Sequence, residues 1–72
     1  MISKIEALKA IAKSEFRPFS KNDWNSYSGC KSAEPLIAEF EEFVIVIDDN
    51  EAYFEDEAGD YILFSLEELE GH

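Results

Sequence analysis

The spacing of apolar residues changes partway along the chain. In the first third it follows a helical period. Ile5, Leu8, Ile11 and Ala12 recur every three or four positions, and Lys4, Lys9 and Lys13 fall between them. Ser3 and Glu6 form an S-x-x-E capping box, so the pattern predicts a helix over residues 3–15. Pro18 prevents its continuation by biasing Arg17 away from helical angles. Ser20 and Asp23 offer a second cap, Trp24 and Tyr27 lie one turn apart, and Gly29 is a stop signal. These predict a short helix from Lys21 to Ser28. Phe16, Phe19, Trp24 and Tyr27 make an aromatic group expected to plug one end of the core. As a base-stacking platform the group would need a basic groove around it.

Beyond residue 35 the period shortens. Leu36, Ala38 and Phe40 alternate with Ile37 and Glu39 as in a strand, which is the favoured reading. Leu36, Ile37, Phe40 and Phe43 also fit a helical stripe, with Ser32 as cap and Pro35 in the first turn. The run Phe43–Ile47 is β-branched, continuous and short, and suits a strand covered on at least one face. Asp48-Asp49-Asn50-Glu51 is turn chemistry, Ala52 to Glu55 a strand, Glu57 to Asp60 a second turn, and Tyr61 to Ser65 another strand. Ser65 with Glu68 suggests a capping box for a last helical turn, Leu66 to Glu70. The expectation is one α+β domain over residues 1–72. Its N-terminal helix and short second helix pack on one face of a three- or four-stranded antiparallel meander.

Composition bounds what such a domain does. The 72 residues allow one small core and are 46% hydrophobic, too apolar for a solvated acidic tail. Cys30 is the only cysteine, so no disulfide framework holds the fold. The longest apolar run, Phe43 to Ile47, is far too short to span a membrane, and no secretory signal is visible. The expected location is cytoplasmic. Six basic residues against seventeen acidic ones give a net charge of −11. Direct binding to nucleic acid or to an anionic membrane is thereby excluded, because both need clustered Lys and Arg.

The charge is unevenly placed. Residues 1–31 hold all six bases and three acids, a net +3, and residues 32–72 hold fourteen acids and no base, a net −14. A solubilising surface accounts for a few such units. Fourteen without a cation between them repel one another and weaken a small fold.

No catalytic set accompanies this acidity. The only histidine, His72, ends the chain, where an oriented second shell is not expected. Cys30 has no histidine partner, and zinc lacks its ligands. A calcium loop starting at Asp48 would need an oxygen ligand and then glycine where Ala52 and Tyr53 stand, and a glutamate where Gly59 stands. A glycosidase-type carboxylate pair needs a larger cleft than this chain can build. The expectation is a protein that is not an enzyme and has neither cofactor nor metal.

Acids at alternate strand positions share a face about 6.6 Å apart, close to the rise of about 6.8 Å over two nucleotides of one DNA strand. Glu51, Glu55 and Glu57 share one parity, with Tyr53 between them. Glu39 and Glu41 form a second row, Glu42 and Asp48 flank the apolar strand, and Asp49, Asp56 and Asp60 add charge at the turns. Tyr53, Tyr61 and Phe54 are candidate apolar anchors, Phe54 also suiting the core. The small size, the acidic strands and the missing catalytic set resemble small phage-encoded inhibitors, including DNA mimics that block host nucleases, restriction enzymes and CRISPR complexes. The stretch Asp23–Asp48, with Trp24, Tyr27, Gly29, Cys30, Pro35-Leu36-Ile37-Ala38 and Phe43 to Asp48, is similar to short phage proteins. The resemblance implies an inhibitor that occupies the nucleic-acid groove of a basic host protein. Two other readings are an immunity or antitoxin protein facing a basic toxin, and an accessory protein that self-associates through its sheet. The expected state is a monomer or small homo-oligomer.

Overall fold

Two serine–acid pairs start the main helices. In a computed structural model that describes residues 2–70, Ser3 Oγ accepts the Glu6 N–H at 3.2 Å and Glu6 Oε1 accepts the Ser3 N–H at 3.1 Å. Helix α1 (Lys4–Lys13) thus begins with two otherwise orphaned donors satisfied. Ser20 and Asp23 repeat the box at α2 (Lys21–Ser26), at 3.3 and 2.8 Å. The Glu70 end of the third helix, α3 (Leu66–Glu70), is the last described residue; His72 lies outside the described residues. The Ser65–Glu68 box does not form among the described residues. The start of α3 is instead fixed by the Leu66 N–H, which donates to the Asn50 carbonyl at 2.7 Å.

Asp23 has a second partner in Arg17, whose guanidinium donates to its carboxylate at 2.6 Å. That bond, and then the Ser20 N–H, lower the Asp23 pKa to about 2. The carboxyl titrates lower when folded than in an unfolded chain, where it is about 3.9. Its stabilisation is therefore complete above pH of about 4 and is lost as pH falls through 2. An NMR titration should place the Asp23 inflection near 2, and Asp23→Asn should flatten the fall in stability below pH 4. An inflection near the unfolded value would show that Arg17 and Asp23 are apart in solution.

The sheet has five strands, in chain order and all antiparallel: β1 (Arg17–Pro18), β2 (Leu36–Phe40), β3 (Phe43–Asp48), β4 (Glu51–Glu55) and β5 (Tyr61–Ser65). The predicted three or four strands become five because Arg17 and Pro18, read as a helix stop, pair with Ile37 and Leu36. Leu36–Phe40 is a strand, as favoured. The register sets the two faces. Ala38, Ile45, Phe54 and Ile62 lie in one row across the first face, and Arg17, Ile37, Val46, Tyr53 and Leu63 cross the second.

The first face carries the main core. Phe54, 1% exposed, meets Phe43 and Phe64 edge-on at ring centroid distances of 6.0 and 5.7 Å. Ile2, Ala7 and Ala10 from the N-terminal segment and Leu69 from α3 close over it. The helical stripe is rotated from the expected one: Ala7 and Ala10 are buried, Leu8 and Ile11 flank them, Ala12 is exposed and Ile5 is 51% exposed. Small alanines let the helix backbone approach the sheet, which the larger isoleucine would obstruct.

The layering differs from the expected single helical face. The segment containing α2 lies on the second face, opposite α1 and α3. Phe19, Trp24 and Tyr27 do not plug the core's end; they form a cluster over this face, and only Phe16 packs against the main core. Beneath that segment Ile37 and Val46 are as buried as the main core.

Candidate functional site

The second face brings most of the strand acids together. Glu39 on β2, Asp48 on β3, and Glu51 and Glu55 on β4 share it with Tyr53. Three of these four carboxylates hold the covering segment. Asp48 accepts the Lys31 N–H at 2.9 Å and the Ser32 N–H at 2.8 Å. Glu51 pairs with the Lys31 ammonium at 3.2 Å. Glu55 accepts the Tyr27 hydroxyl at 2.7 Å. Burial, and then that bond, push the Tyr27 phenol well above its ordinary range, so it stays a neutral donor.

Asp56 is scaffold of another kind. Its Oδ1 accepts the N–H groups of Ala58 and Asp60, both at 3.0 Å, and shapes the β4–β5 turn in which Gly59 takes a φ of +86°. Glu57 is a turn residue here and does not extend the row of Glu51 and Glu55, since β4 ends at Glu55. The Asp56 side chain closes the turn and breaks the alternation there.

Glu39, Glu41, Glu42, Asp49, Glu57 and Asp60 are all exposed, and among the described residues none accepts a side-chain hydrogen bond or joins an ion pair. An antiparallel meander turns alternately at its two ends. The β2–β3 turn (Glu41, Glu42) and the β4–β5 turn (Glu57, Asp60) therefore project from the same end, with Glu39 beside them. Asp49 sits at the opposite end. The two acidic turns are two strands apart, about 10 Å. Lys9 and Lys13 of α1 line a groove with Glu41 and Glu42, so the acidic end has a basic flank on the helix side.

Aromatic and apolar surface adjoins these charges. Tyr53 stacks on Tyr61 at 5.2 Å. Tyr61 is 67% exposed and Leu63 49%, both on the second face. Phe54 is wholly in the core, so the exposed apolar surface on this face comes from Tyr61 and Leu63, with Tyr53 half-buried behind them. Leu63 escaped notice in the sequence, yet it left a signal. Tyr61-Ile62-Leu63-Phe64 is apolar at both parities, which on a strand with one covered face leaves surplus apolar surface.

Between this patch and the covering segment lies a pocket of about 300 Å³, lined by Tyr27, Cys30, Val46, Tyr53 and Leu63 with Lys31, Asp48 and Glu51 at its rim. Burial first, and then the Asp48 charge, push the Cys30 thiol up, which opposes thiolate chemistry. Among the described residues no three His, Cys, Asp or Glu side chains are grouped to hold a metal ion, and no helix is long and apolar enough to cross a membrane.

Fold and surface together define a small α+β domain with one acidic, partly aromatic sheet face. No protein-family model, curated protein or solved structure matches the chain.

Proposed function

We propose that this chain is a non-catalytic acidic binding protein whose partner is a basic protein of the kind that holds nucleic acid in a groove. The observation that carries the reading is the division of labour among the carboxylates. Asp48, Glu51, Glu55 and Asp56 hold the fold, while among the described residues Glu39, Glu41, Glu42, Glu57 and Asp60 accept no side-chain hydrogen bond, join no ion pair and gather at one end of the sheet, with only the more distant charge of Arg17 acting on Glu39. Unpaired charge on that scale costs stability through self-repulsion, and a basic partner would relieve it. Two acidic turns about 10 Å apart present charge as two short rows, which suits a groove that otherwise holds a phosphate backbone. Tyr61 and Leu63 add the apolar contact that charge alone does not supply, since charge mainly steers encounter and sets salt dependence.

Affinity capture on the immobilised protein at low salt, followed by a rising salt gradient, tests this. The expected result is a basic protein with a nucleic-acid groove that elutes early in the gradient and is displaced by duplex DNA. A partner whose retention is indifferent to salt and to DNA would contradict the mimicry.

A further inference from the structure

The two edges of the sheet are treated differently. On one side β1 is a two-residue strand containing Pro18, with exposed Arg17 beside it. Such an edge offers little to an incoming strand. On the other side β5 runs five residues, Tyr61-Ile62-Leu63-Phe64-Ser65, with no charge and no proline.

The ladder shows which backbone groups of β5 are free. The Leu66 N–H bonds to the Asn50 carbonyl and the Asp56 N–H to the Asp60 carbonyl. Hydrogen-bonded pairs alternate along an antiparallel ladder, so Phe64 and Ile62 also bond inward, to Ala52 and Phe54. Tyr61, Leu63 and Ser65 consequently point their N–H and C=O groups outward. Among the described residues these groups have no backbone partner outside the ladder and no side-chain partner. Grooves adjoin the same edge on both faces. The pocket against Leu63 lies on the second face, and a larger one of about 520 Å³, lined by Ile2, Phe43, Phe54, Tyr61 and Ile62 with Asp56 and Asp60, lies on the first.

We infer that β5 is a docking edge that takes an extended, basic segment of the partner as a sixth, antiparallel or parallel strand. The inference rests on the reading above and says how that partner is held. Main-chain bonds to Tyr61, Leu63 and Ser65 supply the register. Alternate side chains of the segment then fall into the two grooves, as in other cases of strand addition. Charge selects the occupant. The edge lies in the half of the chain that holds fourteen acids and no base, and Asp60 and Glu67 flank it in sequence. A second copy would bring two such halves together, whereas a segment with lysine or arginine at alternate positions presents them all on one face, where Asp56 and Asp60 of the first-face groove carry opposite charge, and turns its other side chains to the pocket beside Leu63.

The probe is a capped synthetic peptide of about ten residues alternating lysine and valine, long enough to cover β5, with a glutamate–valine peptide as control. Binding and amide exchange are followed by NMR on the full chain at low salt. The expected result is saturable binding of the lysine peptide alone, with exchange at Tyr61, Leu63 and Ser65 slowed about tenfold or more at near-saturation. The Leu63 N–H makes no ladder bond, so Leu63→Pro should remove that protection while the β3 and β4 amides stay protected. Leu63→Lys, which keeps the backbone donor but repels the peptide, should weaken binding even if the proline variant fails to fold. Binding that perturbs the acidic turns and leaves the three edge amides unprotected would overturn the edge while sparing the basic-partner reading. No binding of the lysine peptide would likewise overturn the edge. Equal binding of the glutamate peptide would overturn both. Protection that rises with protein concentration in the absence of peptide would assign the edge to a second copy and overturn the proposed occupant.

Discussion

Phe54→Ala is expected to cost about 3–5 kcal/mol, because a fully buried phenylalanine loses its transfer energy and leaves a cavity that the sheet cannot close. Phe54 lies at the centre of the first face, edge-on to both Phe43 and Phe64, and Ala7, Ala10 and Ala52 around it have no volume to move into the gap. A domain of this size has a total stability on the order of 4–10 kcal/mol. The variant should therefore lose from about a third to all of it, with a clearly lowered denaturant midpoint and thermal transition. Phe54→Leu, which restores much of the volume, should recover a large part. A Phe54→Ala protein with an unchanged midpoint would mean that α1 and α3 do not close over this face.

Asp48→Ala should detach the covering segment and leave the main core folded. The carboxylate holds two backbone N–H groups, and hydrogen bonds to a charged partner are worth about 1.5–3 kcal/mol each at most. Its loss frees the Lys31 and Ser32 N–H groups, leaves the exposed Lys31–Glu51 ion pair to hold this stretch, and so opens the pocket and bares Val46. Cys30 reports the change, because it is half-buried in that pocket and its thiol is held up by burial and by Asp48 itself. Removing Asp48 both exposes the sulfur and lowers its pKa, so thiol-reagent labelling at neutral pH should rise by an order of magnitude or more. Asp48→Asn keeps one acceptor oxygen and should fall between. Unchanged labelling in Asp48→Ala would place the segment's anchorage elsewhere.

How far the chain's sequence foretold this structure depends on the range of each interaction. The Ser3–Glu6 and Ser20–Asp23 boxes and the Phe43–Ile47 strand are local, and they formed where expected. Strand β1 is not local. Two residues that include a proline carry no strand signal and become a strand only because Ile37 and Leu36 lie beside them. The side taken by α2 was equally hidden, since Tyr27 finds Glu55 across 28 positions and Ser32 finds Asp48 across 16. Those same contacts decide which acids are tethers and which are free. On alternation alone Glu51 and Glu55 read as surface charge in one row with Glu57. The structure gives both of them work in holding the covering segment. Glu57 dropped out of their row once Asp56 closed the turn.

That division is the centre of the account, and two glutamine sets test it in one experiment. The first changes Glu39, Glu41, Glu42, Glu57 and, as Asn, Asp60; the second changes Glu51, Glu55 and, as Asn, Asp48. Thermal stability and affinity for the captured basic partner are measured for each. The first set should keep or raise the melting temperature, because it relieves repulsion, and should lose most of the affinity. The second should lower the melting temperature by several degrees, since about 1 kcal/mol moves a domain of this size by roughly 4–8 °C. If the first set binds the partner as well as the unaltered chain does, the free carboxylates are not the binding surface and the account is wrong.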